Sequence, residues 1–326
     1  MKDKLKVLLL IKPFWRNFPK HKPKFETITA LENFADVRYW YRDGNIKEIL
    51  KRLNYKPDFI LHYDVAWGYA FAPIISGLDQ VDIPKGCIVI DTHYFPYVRR
   101  QYFKDTNIDI IFSLTKSPFL KTFPEYQEKF RWWPFSINPG IFKDWQLEKD
   151  IDCLLMGQVY DREGTSPNNT KTPKGRYPFR EEVLEKMRNT KGFVFHPHPG
   201  HDAPSTAILN ERYAQELNRS KIFFTCGGVF KYPVLKYFEA PACRTLLLAE
   251  PVQDIVDLGF KDGQHFVACD QSNIQEKTAY YLENEQERQF ITDNGFEFVH
   301  QYHSNQARAL QLVDYIEAFI KDRATS

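Results

Sequence analysis

The residues best suited to chemistry lie in KIFFTCGGVFKYPVLKYFEAPACRTLLLAE, Lys221–Glu250. Glu239 stands within an otherwise apolar and aromatic run, directly before Ala240-Pro241-Ala242. A carboxylate in such surroundings is costly unless something donates to it. It is either a surface or lysine-paired acid, or a carboxylate that accepts two hydroxyls of a ribose. Gly227-Gly228 ends a buried-strand pattern. Free backbone N–H groups at such a turn, and at the helix start beyond it, favour an anion, typically a phosphate. Lys231 and Lys236 flank the start of the predicted helix, and either can neutralise a diphosphate as a point charge. Lys231 is the better placed, and Lys236 can equally lie on the solvent face.

A second candidate is CIVIDTHYFPYVRR. Asp91 and His93 fall at the end of a predicted strand, where α/β proteins place ligand contacts. A carboxylate beside a histidine fixes its tautomer and raises its basicity, which suits a base that deprotonates a hydroxyl. The plainer alternative is that Asp91 and Thr92 cap the next helix and His93 packs. His62 and Asp64, ending the strand before, form a similar pair. KPFWRNFPKHKPK, Lys12–Lys24, holds five cations, no acid and three prolines. It reads as a solvated loop or as an acceptor loop for a phosphorylated or membrane-held substrate, with Phe14, Trp15 and Arg16 as contacts. FVFHPHPGHD carries His196, His198 and His201. Two prolines interrupt the run and no acid or cysteine stands at a ligand spacing, so no metal is assigned.

These residues need strands and helices to hold them. KIFFTCG and RTLLLAEP are short buried strands, and YPVLKYFEAPA reads as a helix with Pro233 in its first turn. Strand, glycine turn, helix and strand make a βαβ unit. In the N-terminal half, strands are predicted at 6–11, 36–41, 58–62, 87–91, 108–113 and 131–135. Helices are predicted at 25–34, 46–54, 66–76, 97–103 and 118–123. This alternation indicates parallel sheet wrapped by helices. Residues 136–150 read as a link, and IDCLLMGQVYD starts a second domain. The polar insertion Arg162–Gly175 reads as a mobile loop. The last helix, from Asn305, carries a stripe of Ala309, Leu312, Ile316 and Ile320. The expected domains are 1–145, 146–304 and a terminal helix 305–326 packing on the first.

The chain has 326 residues, 43% hydrophobic and 26% charged, with a net charge of +2. That suits two globular domains and implies no nucleic-acid partner. Aromatic residues reach 16%; many belong to cores, but sugar-binding surfaces also use exposed rings. Five cysteines without metal spacing favour packed, reduced thiols in a cytoplasmic protein. The N-terminal apolar run is broken by Lys12 and Pro13 and reads as a strand, not a signal peptide.

KYFEAPACRTLLLAEPVQDIVDLGFKDGQHFV, followed by YYLENEQERQFITDNGFEFVHQYHS, resembles the C-terminal half of GT-B glycosyltransferases. It is closest to the group 1 glycosyl transferase domain of spore-maturation (CgeB-like) enzymes, from about Asp152 to about Asp314. The resemblance implies two Rossmann-like domains facing a cleft and metal-independent transfer of a sugar, with a UDP-sugar as the expected donor, to a glycan, lipid-linked or small-molecule hydroxyl. It implies that Glu239 contacts the ribose and that a cation near the start of the next helix, Arg180 or else Arg176, meets the diphosphate. A cation there is slightly disfavoured by the helix dipole, which argues for an anion nearby. Tyr237, His196 and His198 would line the donor site, the histidines near the base. No cofactor is expected beyond the nucleotide-sugar itself. Relatives carry an acid eight positions before the glutamate; here Lys231 stands there. That leaves open the stereochemistry, and whether the protein is an inactive nucleotide-binding homologue. An epimerase or polyol-phosphate transferase of the same architecture is the other alternative. The expected place of action is the cytoplasm, with contact at the inner face of a membrane compatible with the basic loop.

Overall fold

In the computed structural model, residues 4–162, 171–200, 203 and 207–325 are described. They form two compact units. Unit 1 comprises residues 1–16, 24–134 and 305–326; unit 2 comprises 17–23 and 135–304. The division falls at Pro134/Phe135, about ten residues before the expected one, and the terminal helix belongs to unit 1. The stretch Asn17–Pro23 belongs to unit 2, so the basic loop is shared between units.

Unit 1 is built on β1 (Lys6–Leu10), β2 (Asp36–Trp40), β3 (Phe59–His62), β4 (Lys85–Val89), β5 (Ile110–Ser113) and β6 (Phe130–Trp132). They form one parallel sheet in the order β2-β1-β3-β4-β5-β6. Strands covered on both faces read as continuous apolar runs: Val7–Leu10 and Phe59–Leu61 have no solvent exposure. Around the sheet lie α1 (Lys22–Thr29), α2 (Ile46–Leu53), α3 (Pro96–Asp105), α4 (Ser117–Thr122) and the terminal Asn305–Thr325. Helix α2 shows why such boundaries are legible. The Asn45 side chain accepts from the Lys47 N–H at its start, and Asn54 closes it in the left-handed region. The terminal helix is held to unit 1 by the Trp133 indole donating to the Arg308 carbonyl.

The helix expected over 66–76 does not form. Tyr69 takes a φ of 57°, which ends a right-handed helix, and Pro73 lacks the N–H to continue one. The stretch is a series of turns, and Ile75–Ser76 pairs with Gly44–Asn45 as a two-residue ribbon.

Unit 2 carries β7 (Ile151–Gly157), β8 (Phe193–Pro197), β9 (Ser220–Thr225), β10 (Leu246–Ala249) and β11 (Val267–Ala268). They form a second parallel sheet, ordered β8-β7-β9-β10-β11. Its helices are α5 (Pro178–Met187), α6 (Glu211–Arg219), α7 (Lys236–Ala242), α8 (Gln253–Asp257), α9 (Ile274–Glu283) and α10 (Glu285–Tyr302), which leaves Asn305–Thr325 as α11. Part of the polar insertion expected as a mobile loop, residues 163–170, lies outside the described residues. Among the described residues, no helix is long and apolar enough to cross a membrane.

Helix α7 starts at Lys236, not in the Tyr232-Pro233 turn. Gly228–Phe230 forms a 3-10 turn ended by Lys231 at φ 49°, and the residue before a proline is driven extended. A stretch of loop therefore separates the glycine turn from the helix.

Candidate functional site

In unit 2 the chain runs outward from β7 to β8, then returns to place β9 on the other side of β7. In such sheets ligands bind beyond the strand C-termini where the order reverses. Here that is the crevice after Gly157 of β7 and Thr225 of β9.

Arg180 occupies this crevice. It stands in the first turn of α5 and is only 4% exposed. One terminal nitrogen, Nη2, lies 3.4 Å from both Thr225 Oγ1 and the Cys226 carbonyl. The guanidinium carbon sits 4.6 Å from the centre of the Tyr177 ring. Its Nε is buried with no hydrogen-bond partner, and among the described residues no carboxylate pairs with it. A buried cation without a counter-charge carries a large desolvation cost. An anion entering the crevice would offset that cost.

Lys236 joins it. A Cβ built on Gly157, whose φ is +140°, would meet Arg180 Nη1 at 3.1 Å and Lys236 Cε at 3.5 Å. The two cationic side chains thus converge on one bare glycine at the end of β7. A side chain there would also fill the space between them, which is a physical reason for glycine. Lys236 further lies with its Nζ 5.4 Å from the Tyr213 ring centre.

Glu239 follows Lys236 by three residues, on the same face of α7. It is 6% exposed, and the Tyr213 hydroxyl donates to its Oε2 at 3.1 Å. Burial and the neighbouring Glu239 carboxylate push the Tyr213 phenol well above the usual tyrosine range. Tyr213 therefore stays protonated and can only donate to the acid. This residue was missed by sequence reasoning. It lies 26 positions from its partner, in an ordinary amphipathic helix with no local signal.

The other expected donor contacts are placed differently. Lys231 is not at a helix N-terminus; its side chain is 60% exposed and pairs with Glu250 at 3.1 Å. Tyr237 is fully buried and its hydroxyl donates to the Glu250 carbonyl, so it braces the end of β10 rather than lining a cavity. A Cβ on Gly227 would meet Val252 at 2.8 Å and the Tyr232 backbone at 3.0 Å. Close packing of the following loop accounts for that glycine. Gly228, at φ +60°, faces the Tyr177 ring. His196 on β8 meets Glu216 at 3.0 Å. His198 contacts Lys20 at 2.7 Å, and its Nδ1 accepts from the Gly200 N–H. His201 lies outside the described residues. Among the described residues no cluster of three or more histidine, cysteine or acidic side chains could hold a metal ion.

In unit 1, Asp91 and His93 follow the C-terminus of β4 and are half-buried. Their turn is set by a group absent from the sequence reading. Arg99 forks onto Asp64, with Nη2–Oδ2 at 2.6 Å and Nε–Oδ1 at 3.2 Å, both side chains 1% exposed. Its remaining nitrogen, Nη1, donates to the carbonyls of Asp91, at 2.8 Å, and Tyr94. Asp64 also accepts from the N–H groups of Ala66 and Ile90. Asp64 thus serves Arg99, not His62.

His62 is sealed in the core. Its Nδ1 lies 2.8 Å from the Tyr102 hydroxyl and its Nε2 lies 2.9 Å from the Pro73 carbonyl, the pattern of a neutral ring that accepts at Nδ1 and donates at Nε2. Burial lowers its pKa to about 4 from 6.5. The folded state then binds fewer protons than the unfolded one between these values, so stability rises with pH across that window and is lost as pH falls through it. The expected loss is about 3 kcal/mol between pH 6.5 and 4. Urea denaturation of wild type and His62→Gln at several pH values checks this; the variant should show a correspondingly shallower slope.

The expected acceptor contacts are corrected in part. Phe14 is 2% exposed and packs on Phe71, Tyr63 and Phe25, with ring centres 4.6, 5.3 and 5.5 Å away. It is core because the chain after β1 folds back across the sheet end. Trp15 is half-buried, and Arg16 is exposed with its guanidinium 5.6 Å from the Trp15 ring.

Two parallel-sheet units, each with a reversal in its strand order, have the GT-B fold. The family described as glycosyl transferase-like matches residues 176–314, the part of unit 2 that carries Arg180, Tyr213, Lys236 and Glu239. No curated protein matches the chain. Among solved structures, the chain is similar to HepE of Anabaena in complex with UDP, at 9% identity and a TM-score of 0.57, covering 96% of this chain and 100% of that one. It is also similar to a glycosyltransferase from Rickettsia africae, at 11% identity and a TM-score of 0.60, covering 98% and 99%. The sucrose-phosphate synthase of Thermosynechococcus elongatus matches at 13% identity and a TM-score of 0.59, covering 99% and 100%. At such identities these are likenesses of fold.

Proposed function

We propose that this protein is a glycosyltransferase that moves a sugar from a nucleotide-sugar, UDP-linked by preference, to an acceptor hydroxyl. The observation that carries this reading is the convergence of Arg180 and Lys236 on Gly157, with Glu239 one turn further along the same helix. Two cations at a switch-point crevice suit a diphosphate, and a buried acid beside them suits the paired hydroxyls of a ribose. The family match over residues 176–314 and a similar fold solved with UDP support the same reading.

In this mechanism the C1–O bond between sugar and diphosphate breaks, and negative charge builds on the leaving diphosphate. Arg180 and Lys236 stabilise that charge from fixed positions, which is the work a metal does in other transferases. Glu239, held by the Tyr213 hydroxyl, orients the ribose. The acceptor is assigned to unit 1, and His93 takes the acceptor proton if the sugar inverts. If configuration is retained, the leaving phosphate takes that proton and His93 positions substrate.

The test is a thermal-shift screen of wild type and Glu239→Ala against UDP, GDP, ADP, CMP and their sugars. A ligand at about a hundred times its Kd stabilises by about 2.7 kcal/mol. One nucleotide should shift wild type, and the shift should largely vanish in Glu239→Ala. Release of nucleoside diphosphate should then appear with an acceptor present. If no nucleotide shifts wild type, the reading is wrong. Release of a free, altered nucleotide-sugar without acceptor would instead make the protein an epimerase.

A further inference from the structure

Beyond the donor crevice, unit 1 holds a ladder of aromatic rings that no part of the mechanism uses. It is rooted in the core at Phe14 and Phe71. Trp67 stands 5.7 Å from Phe71, and Tyr94 stacks on Trp67 with ring centres 4.1 Å apart and planes 16° apart. Phe95 meets Tyr94 edge-on at 4.6 Å, and Tyr97 meets Phe95 edge-on at 5.9 Å. The outer three rings reach solvent: Tyr94 is 38%, Phe95 42% and Tyr97 65% exposed. They follow directly on Asp91 and His93.

This arrangement is held at a cost. Phe95 has a φ of 45°, a conformation that a bulky residue rarely adopts. Arg99 donates to the carbonyls of Asp91 and Tyr94 and keeps the turn in place. The Trp67 indole Nε1 is buried with no hydrogen-bond partner among the described residues. Exposed aromatic rings on a strained, clamped turn, beside an unused buried donor, indicate a ligand surface.

Charge decides the ligand class. The two cations next along α3 are both committed: Arg99 to Asp64, and Arg100 to Glu125 at 2.6 Å. Phosphate-rich ligands and anionic lipid surfaces need uncommitted cations beside the rings. With the arginines beside the rings committed, the surface suits a neutral ligand with an apolar face and a polar rim. A pyranose ring has this form, with axial C–H groups on one face and hydroxyls at its edge. The two tyrosine hydroxyls supply partners for that edge. The perpendicular rings offer separate facets, each matched in size to one sugar.

We propose that Tyr94, Phe95 and Tyr97 form a saccharide-stacking platform, and that the acceptor of this protein is a glycan read by those rings. The acceptor role rests on the transferase reading above; the binding itself does not.

The test follows the Trp67 indole 15N–1H resonance, assigned with Trp67→Phe, during titration with maltotetraose, cellotetraose, chitotetraose and mannotetraose. At least one should shift it. Tyr97→Ala, at the most exposed ring, should weaken that saccharide by about tenfold. Tyr94→Ala should do so at least as strongly. Both should keep the wild-type thermal shift with UDP, which shows that the fold and donor site persist. The proposal is overturned if no tetrasaccharide moves the resonance, or if both variants bind like wild type. It is equally overturned if only phosphatidylglycerol vesicles perturb Trp67. Loss of UDP binding in wild type, with saccharide binding intact, would instead sink the transferase reading and leave the platform standing.

Discussion

Replacing Arg180 with methionine should weaken UDP binding by about a hundredfold or more while leaving the unliganded fold as stable as wild type, or more so. The two halves of this expectation have one cause. Arg180 is 4% exposed, its Nε lacks a partner among the described residues, and the oxygens it donates to are neutral ones at 3.4 Å. Without ligand it is a buried charge that no carboxylate among the described residues pairs with, and an apolar side chain of similar length relieves that cost. With a diphosphate present the same charge is desolvated in advance and close to its counter-ion. Removing one partner of such a pair costs about 2–5 kcal/mol of binding. Calorimetric titration with UDP measures one effect and chemical denaturation the other. If Arg180→Met lost several kcal/mol of stability and kept UDP affinity, Arg180 would be a structural strut and the crevice would need another anion contact.

The second large effect falls on unit 1. Arg99→Met should destabilise the protein by about 3–5 kcal/mol, because it leaves Asp64 as an uncompensated buried charge. Asp64→Leu should cost a similar amount by stranding Arg99. The double variant should recover much of the loss, since both charges then leave together. Double-mutant denaturation cycles measure this coupling. The pair differs from Arg180 in kind: here the charges are 1% exposed and forked at 2.6 and 3.2 Å, so each charge is balanced by the other. The double variant should still lose transfer activity. The Asp91 and Tyr94 carbonyls no longer receive the Arg99 donor, and the turn bearing His93 is released.

Much of this architecture was legible in sequence because the strands are covered on both faces. KVLLL, FILH and LLLA stand out as unbroken apolar runs, and their alternation with amphipathic stretches indicates parallel sheet without further information. Glu239 was legible for a related reason. A carboxylate in an apolar helix is costly unless it reaches the surface, a lysine or another donor, and its burial beside Tyr213 gives it such a donor. Arg180 stood out only against the expected sign of a helix start.

Other features were decided by tertiary structure. Lys231 and Lys236 are alike in composition and spacing, yet Lys231 turns to Glu250 at the surface while Lys236 converges with Arg180 on Gly157. The left-handed turn at Lys231 separates them, and no local pattern marks it. Phe14 sat in a basic loop that reads as surface, but the fold back across β1 carries it into the core. Tyr213 meets Glu239, and Asp64 meets Arg99, across 26 and 35 positions of chain. Periodicity and propensity act over a few residues and so specify strands, helices and their caps. Which buried charge finds a partner, and which is left for a ligand, depends on contacts that exist only once the sheets have brought distant strand ends together.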